Sequence, residues 1–211
     1  QFSPYETRSR FMRGSDASLL IPTHVLGGET VGLTAFPFSG REGSRTGKVP
    51  SYLAVAAFAD TTVTVAPRVD FTAADDGSWG AAAAGEPWSF DLQQGDVVHL
   101  VPTPPPDCTS DRRRYRRSAD GRSIFQCLEL GHDPSRARVT ATEPVAVFGG
   151  SVFAGTPHGY AGGGRIEAQL PPRHTWSTEH VAVPVSHVAN PSPLERVGYL
   201  RVVTATPDTE V

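Results

Sequence analysis

Hydrophobic and polar positions alternate with a period of two along most of the chain. Val31, Leu33 and Ala35 alternate with Thr30, Gly32 and Thr34, and Val63 and Val65 alternate with Thr62 and Thr64. Successive side chains of a strand point to opposite faces, so this is the pattern of half-buried strands. Val145-Ala146-Val147-Phe148 is apolar without alternation, which suits a strand covered on both faces. Helical spacing is almost absent. The alanine-rich stretch from Thr72 to Gly85 contains Asp75-Asp76-Gly77 and Gly80, turn residues that predict a hairpin loop there. Strands are predicted at Ser18 to Pro22, Thr30 to Phe36, Ser51 to Phe58, Thr61 to Pro67, Trp88 to Leu92 and Val97 to Val101. Further strands are predicted at Arg138 to Thr142, Val145 to Phe148, Arg165 to Leu170, Glu179 to Val183 and Tyr199 to Thr206. Such spacing means an all-β body.

Self-comparison adds a repeat. Leu20-Ile21-Pro22 resembles Gln169-Leu170-Pro171 at an offset of 149, Tyr52-Leu53-Ala54-Val55 resembles Tyr199-Leu200-Arg201-Val202 at 147, and Asp60-Thr61-Thr62-Val63 resembles Asp208-Thr209-Glu210-Val211 at 148. Grouping strands by this period gives four-stranded antiparallel meanders with sub-units at approximately 1–58, 61–142 and 145–206, within a single fragment spanning 1–211. The expected fold is therefore all-β, repeated four-stranded antiparallel meanders in a propeller-like array, and the same strand count allows a two-sheet β-sandwich. Gln1-Phe2 reads as the end of a strand and Asp208-Thr209-Glu210-Val211 as the start of one, so the chain is expected to be a piece of a larger parent.

Composition narrows the class. The chain has 211 residues with 19 basic and 22 acidic side chains, a balance that gives no whole-chain field for nucleic acid. No run of about 18 apolar residues occurs, so no membrane span is expected and the body should be soluble. Gly (21) and Pro (19) together exceed the usual share and point to many turns. Cys108 and Cys127 are the two cysteines and bracket an arginine-rich segment. As a disulfide they would close a loop of about 20 residues, worth about 3 kcal/mol in the chain-entropy model, and would imply an oxidising compartment; the alternative is a pair of free thiols. The proline of Asn190-Pro191-Ser192 blocks a glycosylation acceptor.

Several stretches together resemble the N-terminal domain of the IgG Fc-binding protein family. They are Ala17-Ser18-Leu19-Leu20-Ile21-Pro22-Thr23, Pro50-Ser51-Tyr52-Leu53-Ala54-Val55 leading into Asp60-Thr61-Thr62-Val63-Thr64-Val65, and Glu143-Pro144-Val145-Ala146-Val147-Phe148-Gly149-Gly150. Glu167-Ala168-Gln169-Leu170-Pro171-Pro172 followed by Thr175-Trp176, and Leu92 with Gly95-Asp96-Val97, complete the set. The resemblance implies a secreted or envelope protein; in animals the family's N-terminal domain binds the constant part of immunoglobulin G, whereas this chain is closer to bacterial relatives of undefined partner. The bias of arginine over a single lysine, Lys48, fits a GC-rich bacterial genome. Two departures stand out. The family's cysteine pair and Cys-Asp-His stretch are missing from Ser151 to Gly164, and its Asp-Leu-x-Gly approach survives only as Asp133.

Catalytic patterns are not found. No G-x-S-x-G, GxxxxGK[ST] or H-E-x-x-H occurs, no cofactor is implied, and no metal site is expected from the scattered histidines, of which His174, His180 and His187 are the nearest to a cluster. Asp75-Asp76, and Asp107 with Asp111, are loop carboxylates. Asp111-Arg112-Arg113-Arg114-Tyr115-Arg116-Arg117 is the one local concentration of charge and reads as a solvated loop tip, with Arg113 and Tyr115 the candidates for contact with an anionic ligand. The Gly-rich segment around His158 and Tyr160, with Arg165 beyond it, is a second candidate contact surface. Trp79, Trp88 and Trp176 are read as packing residues. The expected function is a non-catalytic extracellular binding or adhesion module that recognises a protein or glycan through its loops. The rivals are a carbohydrate-active enzyme on a propeller-like scaffold, which Glu167 with Arg165 would favour, and a purely structural surface repeat.

Overall fold

A computed structural model describes residues 2–8, 13–34, 38–41, 48–103, 113–117, 123–127, 130–154, 164–179 and 201–204. The strands are β1 (Phe2–Arg8), β2 (Arg13–Leu19), β3 (Glu29–Val31), β4 (Phe38–Arg41), β5 (Lys48–Ala57), β6 (Thr61–Ala66) and β7 (Trp88–Leu92). They continue as β8 (Val97–Leu100), β9 (Arg113–Arg117), β10 (Ser123–Cys127), β11 (Arg138–Ala141), β12 (Val145–Ala154) and β13 (Gly164–Gln169). Three single 3-10 turns, Thr23–Val25, Leu130–His132 and Arg173–Thr175, are the only helical elements among the described residues.

Among the described strands every pairing is antiparallel. Two four-stranded sheets form the body, one in the order β13-β12-β5-β8 and the other β3-β11-β6-β7. Alternate positions of both sheets meet in one core: Leu53, Val55, Leu100, Val145 and Val147 from the first, Val63, Val65, Leu92 and Val139 from the second, with Val69, Phe71 and Leu170 filling between them. Faces that share one core describe a sandwich-like arrangement with no closed barrel. The first residues of β5 also carry β4, then β10, then β9 (Phe38↔Pro50, Ile124↔Arg41, Phe125↔Tyr115), a three-strand extension of the first sheet. β1 and β2 form a hairpin of their own.

The expected grouping into sequential meanders is not the one that forms. β3 pairs with β11, more than 100 residues later, and β8 pairs with β5, so each sheet draws strands from more than one predicted sub-unit. Period-two patterning tells which face of a strand is apolar but is blind to its partner, and sandwich and propeller share that pattern. The predicted sub-unit boundaries instead coincide with links that switch sheets. Residues 58–60 lead from β5 to β6 and residues 142–144 from β11 to β12. These links are bonded together: Thr142 N donates to Thr62 O (3.1 Å), Thr62 N to Thr142 Oγ1 (3.0 Å) and Glu143 N to Thr61 Oγ1 (2.9 Å).

Other boundaries shift for local reasons. The strand expected over Thr30 to Phe36 ends at Val31, because opposite it Arg136 adopts a left-handed φ of 72° and bonds its N–H to Gly32 O, breaking the ladder. Residues 201–204 hold no strand, and the strand expected at Glu179 to Val183 lies outside the described residues beyond Glu179. The hairpin loop is as expected: Phe71 and Ala82 bridge, and the tip between Ala74 and Trp79 closes on a Gly77 N–H bond to Ala74 O (3.0 Å).

The repeat is visible in three dimensions at an offset of 150. Pro22 (φ −59°, ψ 144°) and Pro172 (φ −61°, ψ 149°) each precede a 3-10 turn, and Leu26 and Trp176 each close it with a bond back to the turn's first residue (3.0 and 3.1 Å). The two copies touch. Gln169 N donates to Ser18 Oγ (2.9 Å), and Gln169 Oε1 accepts from Ile21 N (2.6 Å). Residues 199 and 208, the later partners of the other two sequence anchors, lie outside the described residues.

Candidate binding surfaces

Glu167, which with Arg165 would favour a catalytic reading, lies in a buried polar row on the face of the first sheet turned away from the common core. Gly150 on β12 pairs with Tyr52 on β5 and with Glu167 on β13, so one row crosses three strands. The Tyr52 hydroxyl donates to the Glu167 carboxylate, both residues are buried, and the Tyr52 ring stacks on the exposed His99 imidazole at 4.9 Å. The row exists because Gly150 has no side chain: a Cβ there would lie 2.5 Å from Tyr52 Cζ. Gly149 has a different reason, since its Cβ would stand 1.7 Å from the Leu33 carbonyl oxygen. The signal that could have found this row is the glycine pair itself, which in a strand marks a close approach. The cluster is a buried carboxylate accepting from a buried tyrosine, a contact internal to the fold.

A second polar group surrounds the sheet-switching end. Asp60, Thr61, Thr62, Asp91, Leu92, Gln93 and Thr142 line a shallow open depression of about 620 Å³. Its side chains are already engaged with the fold: Thr62 Oγ1 donates to Asp91 (2.6 Å), Thr61 and Thr142 hydroxyls bond at 3.0 Å, and Asp60 accepts from Gln94 N (2.9 Å). Among the described residues no three metal-ligating side chains converge. His174 is exposed on its 3-10 turn, and His180 and His187 lie outside the described residues.

The residues expected to contact a ligand fall only partly within the described residues. His158, Tyr160 and Cys108 lie outside the described residues. Arg165 belongs to β13, two positions before Glu167. Arg113 and Tyr115 are not in a loop tip: the run Arg113–Arg117 is β9, paired along its whole length to β10, where Cys127 stands opposite Arg113. An arginine strand escapes propensity reasoning because β-propensity measures fit to a half-buried pleat, and an edge strand can be polar throughout. Asp133, the remnant of a longer family pattern, is buried and structural. It accepts from Thr34 Oγ1 (3.2 Å), Ser135 N (2.9 Å) and the Arg201 guanidinium. Trp79 and Trp88 pack against the core, whereas Trp176 donates its indole N–H to Pro171 O (3.1 Å) on an exposed turn.

Among the described residues the interior polar groups hold the fold, while loops and the alternate positions of β6, β7, β8 and β11 face outward. The chain belongs to the IgGFc-binding family, whose model, described as IgGFc binding protein, matches residues 16–211. No curated protein and no solved structure matches the chain. The family is one of binding proteins, typically extracellular, and among the described residues no helix is long and apolar enough to cross a membrane. The motif residues that carry the family pattern have structural roles. Glu167 holds Tyr52, Gln169 ties β13 to β2, Leu170 enters the core and Pro172 starts the turn.

Proposed function

We propose that this chain is a non-catalytic extracellular module that binds a protein through its connecting segments and sheet edges. The observation that carries the reading is the family match over residues 16–211. It is supported by a fold whose two inner faces are closed on one core, which leaves the periphery for recognition. Contacts are assigned to His158, Tyr160 and Arg165 and to Arg113 and Tyr115, and Cys108 with Cys127 would form a disulfide.

The test is binding by the whole chain to purified extracellular proteins, with the Fc fragment of immunoglobulin G as the first probe. Saturable binding that falls in His158→Ala/Tyr160→Ala or Arg113→Ala/Tyr115→Ala variants, at unchanged thermal stability, is the expected result. Hydrolysis of a glycoside that disappears in Glu167→Gln would replace this reading with an enzymatic one.

A further inference from the structure

β9 has arginine at four of its five positions, Arg113, Arg114, Arg116 and Arg117, in a chain whose net charge is −3. It is also the last strand of its sheet: β10 pairs one side of it, and no described strand pairs the other. An unpaired edge presents N–H and C=O groups that a further strand can satisfy. Along β9, Arg114 and Arg116 share one face, and Arg113 and Arg117 share the other with Tyr115.

We propose that the edge of β9 left unpaired by the described strands takes an extended acidic segment of a protein partner as an added strand. This rests on the reading of the chain as a protein-binding module and goes further by naming the edge and the partner's chemistry. A strand added in the plane of the sheet puts its own side chains opposite those of β9 on both faces, where opposite charges attract across the pair. It therefore meets all four arginines at once. A polyanionic polysaccharide laid on the sheet would meet only the arginines of one face, which is why the partner is a peptide. Backbone pairing supplies the attachment and the arginines select carboxylates.

The experiment uses the whole chain with four probes: an oligoglutamate peptide, the matching oligoglutamine, an oligoglutamate N-methylated at alternate residues, and heparin. Oligoglutamate should bind with an affinity that falls as salt rises, and oligoglutamine and the N-methylated peptide should not bind. Arg114→Gln/Arg116→Gln should weaken binding about tenfold, while Arg114→Lys/Arg116→Lys should retain most of it. Equal binding of the N-methylated peptide, or tighter binding of heparin, would overturn the proposal in favour of unspecific attraction between charges. No binding by any peptide, with aggregation of the glutamine variant, would overturn it in favour of an edge charged only to repel other strands. Should the glutamine variant fail to fold, the comparison of N-methylated and plain peptides on the unaltered chain still decides. A partner captured equally well by the glutamine variant would remove this edge and leave the binding-module reading standing.

Discussion

Gly149 and Gly150 are adjacent in sequence and fail differently when a methyl group is added. At Gly149 the added Cβ meets backbone, the Leu33 carbonyl, which can give way only if the chain segment moves. Gly149→Ala is expected to destabilise by about 1–3 kcal/mol or more, read as a lower midpoint in denaturant. At Gly150 the obstruction is the Tyr52 ring, a side chain that can rotate away, so Gly150→Ala should act mainly by breaking the Tyr52–Glu167 bond. Tyr52→Phe removes that donor without the steric clash and should cost about 1.5–3 kcal/mol, the range for a bond to a charged group. A combined Gly150→Ala/Tyr52→Phe variant that loses much less than the sum would show that both act on one bond. At the exposed hairpin tip, bonds from the Ser78 side chain and backbone hold the Asp76 carboxyl below the ordinary carboxylate value. Its depressed folded value means that the local contribution is present above the ordinary value and fades as pH falls through the folded one. In an NMR titration the Ser78 amide should therefore shift at a lower pH than that of an unbonded aspartate.

Strands were legible where one face is buried and the other wet. Thr62-Val63-Thr64-Val65 alternates as written, and the unalternating Val145-Ala146-Val147 is buried on both faces, as its composition implied. The extension strands β4, β10 and β9 were not legible, and Arg113–Arg117 contains no apolar rhythm to betray a strand. Pairing was illegible for another reason. The bond that brings Val139 beside Thr30 spans more than 100 residues, and nothing local in either strand names the other. Two of the links that change sheets, at residues 58–60 and 142–144, fall where the predicted groups were divided, whereas the changes from β3 to β4, β7 to β8 and β10 to β11 do not. The stability of those two links rests on hydroxyls. Thr142 Oγ1 accepts from Thr62 N and bonds Thr61 Oγ1, so Thr142→Val keeps the shape and removes both contacts. A loss of about 1–3 kcal/mol is expected, with the amide of Thr62 exchanging faster with solvent while the core amides of β5 keep their order of protection.

At the scale of the molecule the later copy of the duplicated turn is tied to the second sheet. Arg173, on the later turn, bonds Glu29 of β3 (3.2 Å), while Arg138 lies 3.8 Å from the same carboxylate. The matching position in the earlier turn is Thr23, which cannot make such a pair, so the duplication is one of backbone shape and not of charge. Of the three sequence anchors only the first can be placed, and the structure shifts its offset from 149 to 150: the prolines and the turn they start are legible in sequence, whereas the contacts between copies use residues that differ between them. The seam should therefore be energetically local. Gln169 serves it twice, by its backbone to Ser18 Oγ and by its side chain to Ile21 N. Ser18→Ala and Gln169→Leu remove one bond each, and the Gln169 N–H and the Ile21 N–H would be left to find other acceptors. Because both changes strike one patch, the double variant should depart from additivity by about 0.5–3 kcal/mol, whereas pairing either with Thr142→Val, at the sheet-switching end, should give sums that hold within about 0.5 kcal/mol. Strong coupling between the seam and that distant corner would mean that the two turn copies and the sandwich do not contribute separately. The surfaces assigned to recognition would then lie on a body that moves as one unit with its seam.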